Sequence, residues 1–239
     1  MLRVFADALT SVVLAPCCAS CSERLASPTQ GAVCEACWSS ILPASGPLCR
    51  ICGDALVSWR HAGSGEICAR CARTPRVISI GRAVGPYEGT LRDILHALKY
   101  DGRRSIAAPL AARMRAAGTD VLEGADAVVP VPLHFLRQYS RGFNQAAELA
   151  RHLGPPVLDV LRRTRATVTQ TDLPEAQRHA NVHNAFALRR RIPAGSVLVV
   201  VDDVSTTGAT LDACARVLLD AGAKEVRGLT AARAAARLP

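Results

Sequence analysis

The chain has 239 residues, 49% of them apolar, 21% charged and 4% aromatic, with a net charge of +9. That balance fits a soluble globular protein of one or two domains, long enough to bury a core. No apolar run reaches the roughly 18 residues of a transmembrane helix, so no membrane span is expected.

Nearly all the positive charge is arginine, since Lys99 and Lys224 are the only lysines. Surplus arginine suits phosphate-bearing ligands or nucleic acid. A genome-wide bias toward Arg and Ala produces the same composition, so charge alone decides nothing.

At the N-terminus, Val4 or Phe5, Ala8, Leu9, Val12 and Val13 share one helical face. Asp7 interrupts the apolar run and no small-residue cleavage site follows. A short amphipathic helix is expected rather than a signal peptide, in a cytoplasmic protein.

Residues 17–71 hold nine of the ten cysteines, eight of them in four C-x-x-C pairs. The pairs are Cys18 with Cys21, Cys34 with Cys37, Cys49 with Cys52, and Cys68 with Cys71. Inserts of twelve and fifteen residues separate the first two and the last two pairs. Two such knuckles around an insert of this size make a tetrahedral four-cysteine zinc site. A segment this small cannot fold on apolar burial alone, so metal supplies folding energy. A disulfide framework competes, but four repeats of C-x-x-C favour metal in a reduced compartment. Sequential pairing into two structural zinc sites is the simpler arrangement. Crossed pairing stays open, as does Cys17 in place of Cys18.

A boundary near Thr74 and Pro75 divides a 1–74 module from a 75–239 domain. Residues 77–84 alternate as a strand. Thr90 with Asp93 makes a capping signal for a helix carrying Leu91, Ile94, Leu95 and Leu98 on one face. Lys99 and Arg103, near its end, are either solvated charges or ligand contacts. A second helix is expected over 105–117, and a strand over 127–131 runs into a turn bracketed by Pro130 and Pro132. That turn can offer N–H groups to a pyrophosphate, with Arg137 and Arg141 supplying charge, unless the loop is merely basic and solvated. A helix follows to about His152. Residues 162–186 are polar and weakly periodic, and Thr167, Thr169, Gln170, Arg178 and Asn181 are candidates to close over a ligand.

Residues 197–210 carry the strongest signal. The mainly β-branched run from Val197 to Val201 reads as a strand buried on both faces of a parallel sheet. It leads into Asp202 and Asp203, then Val204, Ser205, Thr206, Thr207, Gly208, Ala209 and Thr210. Leu211, Cys214, Ala215, Leu218 and Leu219 follow at helical spacing, Cys214 as a small core residue. A loop feeding a helix N-terminus attracts phosphate through unpaired N–H groups and the helix dipole. Gly208 permits close approach and the hydroxyls donate to phosphate oxygens. Paired carboxylates would repel that phosphate, so they require sugar hydroxyls or a magnesium ion. Residues 224–231 form a last short strand.

The 197–210 stretch closely resembles the phosphoribosyl-pyrophosphate (PRPP) motif of type I phosphoribosyltransferases. By that resemblance Asp202 and Asp203 hold the ribose hydroxyls, and residues 205–210 hold the 5-phosphate. The whole chain is similar to the ComF competence-protein family, which joins a double zinc ribbon to such a domain. The likeness rests on the cysteine knuckles, on Arg141-Gly142-Phe143-Asn144-Gln145-Ala146, on the PRPP motif, and on Leu173, Arg178, Asn181 and Phe186. It covers residues 18–232. It implies an α/β fold with a parallel sheet flanked by helices behind a four-cysteine zinc-ribbon module. It also implies a cytoplasmic protein acting in DNA uptake during natural transformation, or a relative in a non-competent organism.

Three functions follow. The first is a magnesium-dependent transferase releasing pyrophosphate, with Asp202, Asp203, Arg141 and Arg178 in catalysis and Pro132, Arg137, Gln170 and residues 204–210 binding PRPP. The second is a sensor of PRPP or a nucleotide that also holds single-stranded DNA or a DNA-uptake partner, although few aromatics are present to stack on bases. The third makes the zinc module purely structural, as a lid or a dimer contact.

Overall fold

A computed structural model describes residues 15–56, 67–133, 142–164 and 185–234. Its elements in chain order are α1 (Glu35–Ser39), α2 (Ala69–Arg73), β1 (Gly81–Pro86), α3 (Gly89–Tyr100), α4 (Ala107–Ala117), α5 (Thr119–Leu122) and β2 (Ala127–Pro130). They continue with α6 (Gln145–Ala150), β3 (Leu161–Arg163), β4 (Phe186–Leu188), β5 (Val197–Ser205), α7 (Ala209–Asp220) and β6 (Glu225–Arg233).

The apolar run at 197–201 is the middle of a four-stranded, wholly parallel sheet of order β1-β6-β5-β2. Successive side chains of a strand face opposite ways. Val199 and Val201 therefore enter one core, and Leu198 and Val200 the other, all four with no exposed surface. The first core is closed by Ile94, Leu95 and Leu98 of α3, Leu110 and Met114 of α4, and Leu149 of α6. The second is closed by Leu211, Cys214 and Leu218 of α7 with Phe186 of β4. The β5–α7–β6 unit joins neighbouring parallel strands by a helical crossover, as such pairs require.

The edge of β1 is not left open. Ala44 N–H donates to Val84 O at 3.0 Å and Gly81 N–H to Ile51 O at 2.6 Å. This covering hides groups that would otherwise template pairing with another chain. It approaches so closely that a Cβ on Gly85 would strike the Leu42 carbonyl.

Several expectations shift. The strand foreseen at 77–84 begins at Gly81, because the Val77 and Ile78 amides donate to Asp212 Oδ1 (3.0 and 3.3 Å). Thr90 and Asp93 do not cap α3, whose N-cap is Glu88 without a side-chain bond. Thr90 instead shares a 2.9 Å hydrogen bond with Ser40, and Asp93 accepts from Ser20 at 3.5 Å. A 3-10 turn over Arg104–Ile106 precedes α4. The polar 162–186 stretch is bounded by the antiparallel β3–β4 pair, which the sequence did not announce. The helix expected at the N-terminus lies outside the described residues. Among the described residues, no helix is long and apolar enough to cross a membrane.

Candidate functional site

The four cysteine knuckles come together in sequential pairs. The sulfurs of Cys18, Cys21, Cys34 and Cys37 lie within 4.8 Å of one another, and so do those of Cys49, Cys52, Cys68 and Cys71. The two clusters repeat one backbone design. Leu25 N–H donates to Pro16 O at 2.9 Å where Leu56 N–H donates to Pro47 O at 2.8 Å. Cys34 N–H donates to Cys18 Sγ and Cys68 N–H to Cys49 Sγ, each at 3.3 Å. Burial alone would raise the first thiol of each set. Amide donors outweigh it and bring Cys18 to about 6 and Cys49 to about 7, which favours the thiolate that zinc needs. Cys17 stands outside the cluster, its Sγ directed to Ala15 O.

The ribbons dock differently. The first shares the α3–α4 core through Leu25, Val33 and Trp38. Arg113 covers the Trp38 ring at 4.3 Å, and Arg103 Nη1 donates to Cys17 O at 2.9 Å. Arg103 therefore serves the ribbon. Lys99 serves the sheet.

Asp202 and Asp203 stand at the C-terminal end of β5, where open parallel sheets bind ligands. Lys99 Nζ lies 2.9 Å from Asp203 Oδ2, with both side chains mostly withdrawn from water. Burial by itself would lower the Lys99 ammonium, but the Asp203 carboxylate outweighs it and raises it. Asp203 N–H donates to Asp202 Oδ1 at 2.9 Å. Burial, then the Asp203 charge, pushes the Asp202 carboxyl up to about 8, against the weaker pull of Lys99 and Arg163. At neutral pH the protonated form of Asp202 is therefore favoured. Cys214 is fully buried behind it, its thiol pushed well up by burial.

Asp202, Val204, Ser205, Thr206, Gly208 and Thr210 line one depression with Leu211. Thr207 and Ala209 are buried instead, and Thr207 Oγ1 accepts from Ala209 N–H at 3.3 Å at the start of α7. Thr206 Oγ1 is buried without a hydrogen-bond partner among the described residues, an acceptor and donor left over in the loop. Gly208, at φ +81°, is the N-cap of α7. What fills the place of its missing Cβ is the Arg76 guanidinium. Arg76 Nη2 donates to Gly208 O at 3.1 Å, and Nε to Asp212 Oδ2 at 2.7 Å in a buried ion pair.

The turn after β2 lies beside this end through the pairing of Pro130 with Val201. Val131 N–H donates to Val201 O at 2.9 Å, so the sheet uses an amide that the sequence reading offered to a ligand. Pro132 follows, half-buried. Asn144 Nδ2 donates to Val131 O at 3.0 Å while its Oδ1 caps α6, tying the turn to the helix. Arg137, Arg141, Gln170 and Arg178 lie outside the described residues, with Thr167, Thr169, Leu173 and Asn181. Sequence reasoning missed Arg76 and Arg163, the latter on β3 against the Phe186 ring and felt by Asp202. Neither belongs to a motif, and only the fold brings them in.

Residues 132–238 match the family described as the phosphoribosyl transferase domain, and residues 9–75 the double zinc ribbon domain. Competence protein F of Haemophilus influenzae is 30% identical over 91% of this chain and 96% of its own length. The DNA utilization protein YhgH of Escherichia coli K12 is 35% identical over 67% and 74%. Competence protein ComFC of Bacillus subtilis is 28% identical over 80% and 79%. With its parallel sheet and its two four-cysteine clusters, the chain belongs to the ComF family, a phosphoribosyl transferase domain behind a double zinc ribbon.

Proposed function

We propose that the chain binds PRPP at the end of β5 and transfers its 5-phosphoribosyl group with release of pyrophosphate. The observation that carries this reading is one depression holding a strand-end carboxylate beside a hydroxyl-rich loop at a helix N-terminus. Asp202 and Asp203 take the ribose 2- and 3-hydroxyls. Ser205, Thr206 and Thr210 donate to the 5-phosphate, helped by the N-terminal dipole of α7. The unpartnered Thr206 hydroxyl gains a partner in the complex.

The sugar is then fixed at both ends, leaving its anomeric carbon as the point of attack. Positioning supplies much of the rate, and positive charge near the departing pyrophosphate supplies the rest. Arg141 and Arg178 are proposed for that second task, with Arg137 and the neutral amide of Gln170 binding the substrate. The carboxylates of Asp202 and Asp203 are oxygen donors suited to a magnesium ion carried in with the substrate, which would neutralise pyrophosphate charge. The names of its relatives, competence and DNA utilization proteins, support a role in DNA uptake.

The test is calorimetry with PRPP and magnesium. The double variant Asp202→Asn with Asp203→Asn should lose measurable binding. Unchanged affinity would remove the claim. A screen of bases and amines for pyrophosphate release then decides between turnover and sensing.

A further inference from the structure

The two ribbons share a backbone design but not a destination, and the second reaches the phosphate loop. Asp54, two residues beyond Cys52, is gripped by Arg233, whose Nε meets Oδ1 and whose Nη2 meets Oδ2 at 3.1 Å. Arg70 Nη1 approaches the same carboxylate at 3.5 Å. Each guanidinium has a second task. Arg233 Nη1 lies 3.5 Å from Ser205 Oγ, and Arg70 Nη1 lies 3.5 Å from the Thr206 carbonyl. Arg70 sits on α2 between the ligands Cys68 and Cys71, so its place depends on that cluster being closed.

We propose that the second ribbon positions the phosphate loop, with Asp54, Arg70 and Arg233 as the link, so that its metal and the loop's ligand stabilise each other. A trans peptide points its N–H opposite to its C=O. A guanidinium holding the Thr206 carbonyl therefore turns the Thr207 N–H to the other side of the loop. Arg233 similarly fixes Ser205, its partner across the β5–β6 ladder. The ribbon itself is seated on β1: a Cβ on Gly53 would come within 2.6 Å of Gly81 O. The first ribbon gives the contrast. Glu23, at the position of Asp54, is exposed, and the polar contacts of Ser20 and Ser40 run to Asp93 and Thr90 on α3.

Coupling between two sites is reciprocal, and a loop ordered in advance binds at lower cost. Asp54, Arg70 and Arg233 are positioning residues and touch no substrate in this scheme. The proposal rests on PRPP binding at the loop for its affinity arm, but not for its arm without ligand.

The experiment uses the full chain as Asp54→Asn, with Glu23→Gln as the control in the first ribbon. Zinc content, amide hydrogen exchange over 205–210 without ligand, PRPP affinity with magnesium, and zinc release to a chromophoric chelator with and without PRPP are measured. Asp54→Asn should keep its zinc, exchange faster in the loop and bind PRPP about tenfold more weakly, within the usual range of coupling. PRPP should slow release of half the zinc in the wild type and in Glu23→Gln, but not in Asp54→Asn. Unchanged loop exchange with unchanged affinity overturns the proposal. Should Asp54→Asn lose metal, Arg233→Gln cuts the same link from the strand side and must show the same loop exchange. If the wild type binds no PRPP, the proposed function fails while the exchange arm still decides the link.

Discussion

The carboxyl of Asp202 makes a quantitative demand on ligand binding. Its pKa is pushed up to about 8 by burial and by Asp203. At pH 7 about one molecule in ten carries the ionised form, and at pH 6 about one in a hundred. A ligand that needs the carboxylate, as a magnesium-bound sugar does, must first expel that proton. Affinity should therefore rise about tenfold, roughly 1.4 kcal/mol, from pH 7 to its plateau above 8, and about a hundredfold from pH 6. Calorimetry at pH 7 in two buffers of different ionisation enthalpy should show about 0.9 proton released per PRPP bound. Protons contributed by the free ligand are measured separately and subtracted. The ligand-free protein runs the other way. A carboxyl raised above its ordinary 3.8 contributes stability that is fully present below that value and is lost as pH rises through about 8. A flat affinity between pH 6 and 9 with no released proton would refute the assignment of an ionised Asp202 to the magnesium-bearing ribose hydroxyls.

Lys99→Met strands the Asp203 carboxylate without its cation. Unfolding by urea at pH 8 should show a loss of roughly 3 kcal/mol, the scale of a broken buried pair. Adding Asp203→Asn should recover most of it, and a loss within 0.5 kcal/mol of zero would make the pair incidental. The two ribbons offer a matched glycine test, since Ser22 (φ +63°) and Gly53 (φ +71°) occupy equivalent left-handed positions. Ser22→Gly should stabilise the first ribbon by about 1 kcal/mol, read as slower zinc release. Gly53→Ala should cost about 1–3 kcal/mol and release zinc from the second, because backbone strain adds to the approach of Gly81 O. Equal release from both variants would contradict the equivalence.

What the sequence made legible was local. The cysteine spacing, the β-branched run into Asp202, and the periodicity of Leu211, Cys214 and Leu218 each lie within a short window, and the structure forms the corresponding elements. The capping signal at Thr90 and Asp93 was equally local yet misread, because the same hydrogen-bonding groups serve the first ribbon instead. Gly208 lines the depression as a close backbone approach requires, and the structure adds Arg76 in the place of its missing Cβ. Arg76, Arg163 and Arg233 carry no pattern of their own. Single arginines in a chain rich in them become meaningful only when strand pairing sets them beside the loop. The β3–β4 pair escaped because three-residue strands offer too few alternations to detect.

Strand register also explains why the link between ribbon and loop can be so specific. Arg233 pairs with Ser205 on one side and with Pro86 on the other, at the C-terminal ends of three parallel strands. A one-residue slip of β6 would turn its side chain to the opposite face and away from Asp54. Such a slip is opposed by burial along β6, where Val226, Leu229, Thr230, Ala231 and Ala232 are all enclosed. On the outer side, residues 42–51 already pair with the β1 edge through Ala44 and Ile51. Asp54 follows a few residues later and meets Arg233 as a consequence of that pairing. The segment that protects the sheet from unwanted partners is thus the one that brings the Asp54 carboxylate to Arg233 and Arg70, the two arginines that reach residues 205 and 206.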